Sequence, residues 1–227
     1  MSSGARLAAF DAQYRGGLQR AEPHARRFMH AALWALVTLP VVAMVAMYPL
    51  GMLGANPIRE LEHFSGEWTL RLLACSLAVT PLIKLTRWGW LIPERRFLGM
   101  AAFYWAIVHL SIYLGLDMFF DVNDIVEDVL KHLYITVGMF AFLLMVPLAL
   151  TSTKASIKRL GGKKWNALHS LVYVSAIAGC IHFLWGVKKD VEEPIMYLLV
   201  FVVLFAFRVY WKWGRRDVRA TARAASR

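Results

Sequence analysis

Long stretches of this sequence carry no charge. Ala31–Leu50, Phe97–Leu116, Leu133–Leu150 and Trp165–Val187 contain no Asp, Glu, Lys or Arg, while Trp68–Ile83 and Ile195–Trp211 contain one arginine each, Arg71 and Arg208, close to a block end. Such blocks exclude an ordinary soluble domain, because roughly 20 apolar helical residues cross a hydrocarbon core about 30 Å thick. Cysteine is nearly missing as well. Cys75 and Cys180 both lie inside apolar blocks, which excludes a disulfide framework or a zinc site and reads as packed, reduced thiols. There is no Gly/Ser linker, low-complexity run or repeat of 20–50 residues, so a single domain with short connections is expected. No GxGxxG motif follows a strand, so no phosphate cradle for a nicotinamide or flavin nucleotide is expected. A cleavable signal peptide is not expected either: the first 28 residues are polar and Arg-rich, and the first apolar block is already of full length.

What is present is six membrane-length blocks, and 59% of the 227 residues are hydrophobic. They predict an all-α polytopic membrane protein, a six-transmembrane-helix bundle over residues 29–213, with a basic tail at 1–28 and another at 214–227. The net charge of +11 would elsewhere suggest nucleic acid. Here the basic residues cluster between apolar blocks, and membrane topology accounts for them. The N-terminal tail holds five Lys/Arg, Lys84–Arg96 four, Thr151–Lys164 five and the tail from Arg208 seven, whereas the alternate connections Gly51–Glu67, Asp117–His132 and Lys188–Pro194 hold one, one and two. This alternation predicts both termini in the cytoplasm. The third and fifth blocks then run in the same direction, from cytoplasm to outside.

Three of the seven histidines lie within spans: His109 in the third block, His169 and His182 in the fifth. An ionisable side chain in a bilayer is expensive and faces the bundle interior with a partner. A single buried histidine is more often a hydrogen-bonded structural residue than a ligand. Three of them on two spans of common direction point instead to axial ligation of haem iron between facing helices. With Phe97 and Trp165 taken as the cytoplasmic ends, a 1.5 Å rise places His109 about 18 Å deep, His169 about 6 Å and His182 about 25 Å. His109 therefore pairs better with His182 than with His169. Positions thirteen apart lie about 140° apart around an ideal helix, so His169 and His182 do not share one clean face. One haem is expected, and a second at His169 lacks a partner histidine on the third span.

The remaining signals are weaker. His24 and His30 read as surface residues of the basic tail. His63 and His132 fall on the outer side, where a partner contact or a loop hydrogen bond explains them better than metal ligation. Phe103, Tyr104 and Trp105 are candidates to line a porphyrin, although an apolar span would carry them anyway. Trp88, Trp90, Trp185, Trp211 and Trp213 read as interfacial anchors. The basic loop with Lys154, Lys158, Arg159, Lys163 and Lys164 suits lipid headgroups, Arg71 suits a carboxylate or a propionate, and the acidic Asp117–His132 connection is the expected docking surface.

LGANPIRELEHFSGEWTLRLL, the TPL of the second block, ERRFLGMAAFYWAIVHLSIYL, LALTSTKASIKRLGGKKWNALHSLVYVSAIAGCIHFLWGVK and FRVYWKW follow one another in order between Leu53 and Trp213. This series resembles the MsrQ (YedZ) family, haem-binding membrane subunits of a periplasmic methionine sulfoxide reductase system within the ferric-reductase-like transmembrane superfamily. The resemblance implies a b-type haem with His109, His169 and His182 as candidate ligands, and FMN at no localised site. It implies electrons entering from the respiratory quinone pool or a cytosolic flavin reductase. They leave to MsrP, a periplasmic molybdenum-dependent enzyme that repairs oxidised envelope proteins. On that reading the chain is an electron-transfer subunit without a catalytic acid or nucleophile of its own.

Two other readings stand beside it: a ferric reductase or oxidase subunit served by a separate flavin dehydrogenase, and a non-redox transporter whose histidines handle protons or packing. The haem reading predicts that His109→Ala and His182→Ala each abolish or severely deplete bound haem, while His169→Ala loses less, or loses only a second, distinct species. Haem quantified per polypeptide checks this; complete loss from His169→Ala with none from His182→Ala overturns the pairing.

Overall fold

The structure, a computed structural model, describes residues 23–187 and 190–224. The tail residues 1–22, Lys188, Lys189, residues 225–227 and the Trp213 side chain, on which parts of the charge and anchor arguments rest, lie outside the described residues. The described chain is helical, with no strand among the described residues. We number its helices α1 (Pro23–Met47), α2 (Pro57–Thr86), α3 (Ile92–Ile112, continued by a π-helical turn Tyr113–Asp117), α4 (Val122–Lys131), α5 (Leu133–Leu150), α6 (Lys154–His169), α7 (Leu171–Gly186) and α8 (Glu192–Ala224). Six candidate spans emerge when α6 and α7 are taken together and the short α4 is left aside.

The helices outrun the apolar blocks because capping, not hydropathy, sets their ends. α2 starts at Pro57 rather than near Trp68. Proline suits the first helical turn, and the Asn56 side chain accepts the Arg59 N–H at 3.2 Å. It stops at Arg87, whose left-handed backbone (φ 62°) returns its N–H to the Ile83 carbonyl. The expected basic loop Thr151–Lys164 is mostly helix: Thr153 accepts the Ser156 N–H at 3.0 Å and opens α6, which kinks at Gly161. The acidic connection likewise contains α4, capped by Asp121. Ser170 divides the fifth span, with N–H bonds from Ser170 to Ala167 and from Tyr173 to Ser170 marking a tighter turn. His169 and His182 consequently belong to different helices.

α2 packs along α3 and α5 along α7; α3 also meets α5, α8 lies against α7 and α2, and α1 lies at the edge against α2 and α3. The outside is apolar and the inside is where small and polar groups collect. Val42, Val45, Leu143 and Val203 are exposed, while Ser65, Ser76 and Ser175 are buried. Lipid gives no hydrophobic drive between helices, so close approach of small residues and internal hydrogen bonds hold them. Ala101, Ala102 and Ala106 of α3 and Ala176 and Ala178 of α7 supply that approach. Ser175 Oγ donates to the Ala141 carbonyl at 2.9 Å, joining α7 to α5. Of the two free thiols, Cys180 is buried, but Cys75 is exposed on the outward face of α2 rather than packed.

Pro81 sits inside α2 and has no N–H, which leaves the Leu77 carbonyl without its helical donor. Arg208 of α8 fills the gap: Nη2 donates to Leu77 O at 2.8 Å, and Nη1 donates to the Tyr173 hydroxyl of α7. One guanidinium thus joins three helices and repairs a proline defect. We predict that Arg208→Met destabilises the detergent-solubilised protein by about 1–3 kcal/mol, the cost of a buried acceptor left unsatisfied. Adding Pro81→Ala, which restores a helical donor for Leu77, recovers part of that loss; thermal unfolding of the single and double variants measures both.

Candidate functional site: a histidine pair in an intramembrane cavity

A cavity of about 500 Å³ opens between α2, α3, α5 and α7, at the end of the bundle that carries the acidic connection. Four helix segments bring their functional groups there: the first turns of α2, the last turn of α3, the start of α5 and the end of α7. His109 and His182 reach it from α3 and α7, with ring centroids 6.0 Å apart and planes crossed at 75°. Each ring is held by a main-chain carbonyl of a neighbouring helix. His109 Nδ1 lies 3.0 Å from the Glu62 carbonyl of α2 and 3.3 Å from Ser65 Oγ. His182 Nδ1 lies 2.8 Å from the Tyr134 carbonyl of α5, and the Tyr134 ring stacks near it at 5.9 Å.

A carbonyl only accepts, so both Nδ1 atoms must carry the proton and both Nε2 atoms keep a free lone pair. Neither Nε2 has a hydrogen-bond partner among the described residues. That is the arrangement in which metal-binding histidines are found: one ring nitrogen tied back to fix tautomer and plane, the other aimed at the metal. A metal held by both rings would sit between imidazoles whose centroids are 6.0 Å apart. Leu70, Leu73, Met139, Phe142 and Met145 line the deeper wall. Volume, donor set and apolar walls all fit a haem with two axial imidazoles.

His169 stands apart from this pair. It stacks on Trp165 at 3.8 Å and its Nε2 lies 3.1 Å from Thr151 Oγ1, at the junction of α5, α6 and α7. The aromatic residues next to His109 in sequence do not line the cavity. Phe103 stacks on Phe142, Tyr104 faces outward, and Trp105 turns to α1, donating to the Val37 carbonyl at 3.3 Å. Phe142, Phe183, Tyr113, Tyr134 and Trp185 line it instead, because three other helices supply most of the wall. Arg71 takes the carboxylate option, bonding Glu67 at 2.5 Å and the Tyr197 hydroxyl at 2.9 Å.

The mouth of the cavity is polar. Arg59, Glu62, His63 and Glu67 reach it from α2, Asp117 from the end of α3, and Asp128 and His132 from α4 and the turn after it. Asp128 accepts from the Tyr113 hydroxyl at 2.8 Å and pairs with His132 Nδ1 at 2.7 Å, so His132 makes a local hydrogen bond. His63, read from sequence as an outer-side residue, lines the cavity mouth. The signal was its helical face: Arg59, Glu62, His63, Gly66, Leu70 and Leu73 recur at spacings of three and four once α2 begins at Pro57. His30 rests on Glu94, 3.5 Å away, with its side chain half exposed.

The ferric reductase like transmembrane component family matches residues 65–180, which include His109 and His169 and end two residues before His182. Relatives named protein-methionine-sulfoxide reductase heme-binding subunit MsrQ match most of the chain. The one from Herminiimonas arsenicoxydans is 45% identical over 187 residues, 82% of this chain and 86% of its own length. Those from Azospira oryzae and Rhodospirillum rubrum are 48% and 45% identical over 180 and 185 residues, covering 79% and 81% of this chain and 77% and 88% of their own. Identity of this extent, across nearly all of the helical bundle, makes the chain a member of the MsrQ family.

Proposed function

We propose that this chain is a membrane-embedded electron carrier holding one b-type haem between His109 and His182. The observation that carries the proposal is the histidine pair: two imidazoles 6.0 Å apart with each Nδ1 occupied by a main-chain carbonyl. The relatives' names add that they bind heme and serve a methionine sulfoxide reductase. When bound, the haem supplies a reversible one-electron iron couple.

The rest of the work falls to the chain. The Glu62 and Tyr134 carbonyls hold both rings in the Nδ1–H tautomer, so each presents an unprotonated nitrogen. Two protein ligands leave no open position for substrate, which suits outer-sphere electron transfer and not bond chemistry. Leu70, Leu73, Phe142 and Met145 keep water from the inner wall, and a water-poor wall has little to reorganise when the charge changes. The polar mouth lies at the end bearing the connections poor in Lys and Arg, which we assign to the periplasm, with both termini cytoplasmic and the bundle in the inner membrane. Electrons then enter from a quinone or a cytosolic flavin reductase and leave to a periplasmic MsrP-type subunit that repairs methionine sulfoxide. No residue is assigned to the FMN that the family resemblance implies.

The reading predicts a Soret band and reducible b-type α bands in protein purified from haem-replete cells; a colourless, well-folded preparation sinks it. The reduced protein is expected to be reoxidised by the methionine sulfoxide reductase partner and not by ferric chelates. The opposite selectivity favours a ferric reductase subunit. For orientation, a reporter active only in the periplasm should be active when inserted after Asp121 and silent when fused after Trp211. The reverse pattern inverts the bundle.

A further inference from the structure

The two histidines are seated by the same local device. His109 bonds the Glu62 carbonyl, and four residues on, Gly66 faces the ring: a Cβ there would meet His109 Cε1 at 3.3 Å. His182 bonds the Tyr134 carbonyl, and four residues on, Gly138 faces the ring: a Cβ there would meet His182 Nδ1 at 2.6 Å. In a helix the carbonyl of one residue already serves the N–H four residues later. At these two sites the ring reaches the second lone pair over the surface of that later residue, where a Cβ would crowd it; the smaller Ser175 hydroxyl and the Trp105 indole edge reach the Ala141 and Val37 carbonyls past Met145 and Val41. The device recurs where no ligand is involved: Ser76 Oγ donates to the Arg95 carbonyl at 2.8 Å, and a Cβ on Gly99 would meet that oxygen at 3.3 Å.

Resting on the haem reading above, we propose that Gly66 and Gly138 are positioning residues for the axial ligands, each clearing the path by which an imidazole reaches a carbonyl four residues earlier. They fix which nitrogen is protonated, the plane of each ring, and so the crossing of the two planes at 75°. The two positions differ in severity. At Gly66 the ring need give only a few tenths of an ångström. At Gly138 the clash is with the hydrogen-bonding nitrogen itself, so an alanine must push the ring off its carbonyl, off the metal axis, or both.

The test compares Gly138→Ala, Gly66→Ala and Gly99→Ala with wild type, all as full chains purified in detergent. Haem retention, low-temperature electron paramagnetic resonance of the oxidised state, midpoint potential and thermal unfolding are read for each. Wild type is expected to give the strongly anisotropic low-spin signal of crossed imidazole planes. Gly138→Ala should hold haem about 10–100-fold more weakly, the usual cost of disturbing a ligand histidine's own partner, with a high-spin or shifted low-spin signal in what remains. Gly66→Ala should keep its haem with a smaller spectral and potential shift. Gly99→Ala should lower stability and leave the spectrum unchanged. Should Gly138→Ala not fold, Gly66→Ala decides: a shifted signal supports the proposal and an unchanged one ends it. Wild-type spectra and potentials from both ligand-side variants overturn the inference while leaving the haem reading intact; a wild type that binds no haem overturns the reading beneath it.

Discussion

Two hydrogen bonds decide what this bundle can hold. In hydrocarbon an imidazole must find an internal partner, and the available partners are mostly main-chain carbonyls with a second lone pair to offer. By bonding the carbonyls of Glu62 and Tyr134, His109 and His182 are committed to one tautomer and one plane each. Everything that makes the cavity a credible cofactor site follows from that commitment: the free nitrogens, the ring separation, the choice of neighbouring helices. Bonded through Nε2 instead, the same two histidines would offer Nδ1, the nitrogen nearer their own main chains.

The same economy of lone pairs runs through the rest of the membrane region. Arg208 answers the carbonyl that Pro81 leaves open, Ser76 and Ser175 draw on carbonyls of α3 and α5, and Trp105 draws on Val37 of α1. Neighbouring helices are therefore joined by side chains borrowing backbone acceptors as well as by apolar packing around Leu72, Leu77 and Phe201. This explains why small residues line the contacts. A donor reaching a neighbouring backbone needs the two helices close, and alanine, serine and glycine permit it.

The architecture was readable because lipid imposes a coarse rule that hydropathy captures. Six apolar blocks became six spans, and Leu133–Leu150 matched its helix end to end. Helix limits were not readable from hydropathy, because Asn56, Thr153 and Asp121 extend or create helices in polar stretches by capping them. Depth along a rise of 1.5 Å per residue brought His109 and His182 together in the reading, and the folded chain sets them side by side. The cavity wall was a different matter. Phe103, Tyr104 and Trp105 are close to His109 in sequence, yet which side chains surround a ring depends on helix rotation and on three other helices, which no local pattern reports. His63 also lines the cavity mouth, and its helical face becomes visible only when α2 is known to start at Pro57.

The turn at Ser170 deserves a mechanical reading. A continuous rod through the fifth span would carry any tilt of its basic portion straight to His182. The break after His169, with a second kink at Gly161, makes the span a jointed limb. The lysine-rich segment and the far imidazole therefore do not share one straight helix axis. The His182 end and the basic end of the span are thus separated by a tighter turn at Ser170 and a kink at Gly161.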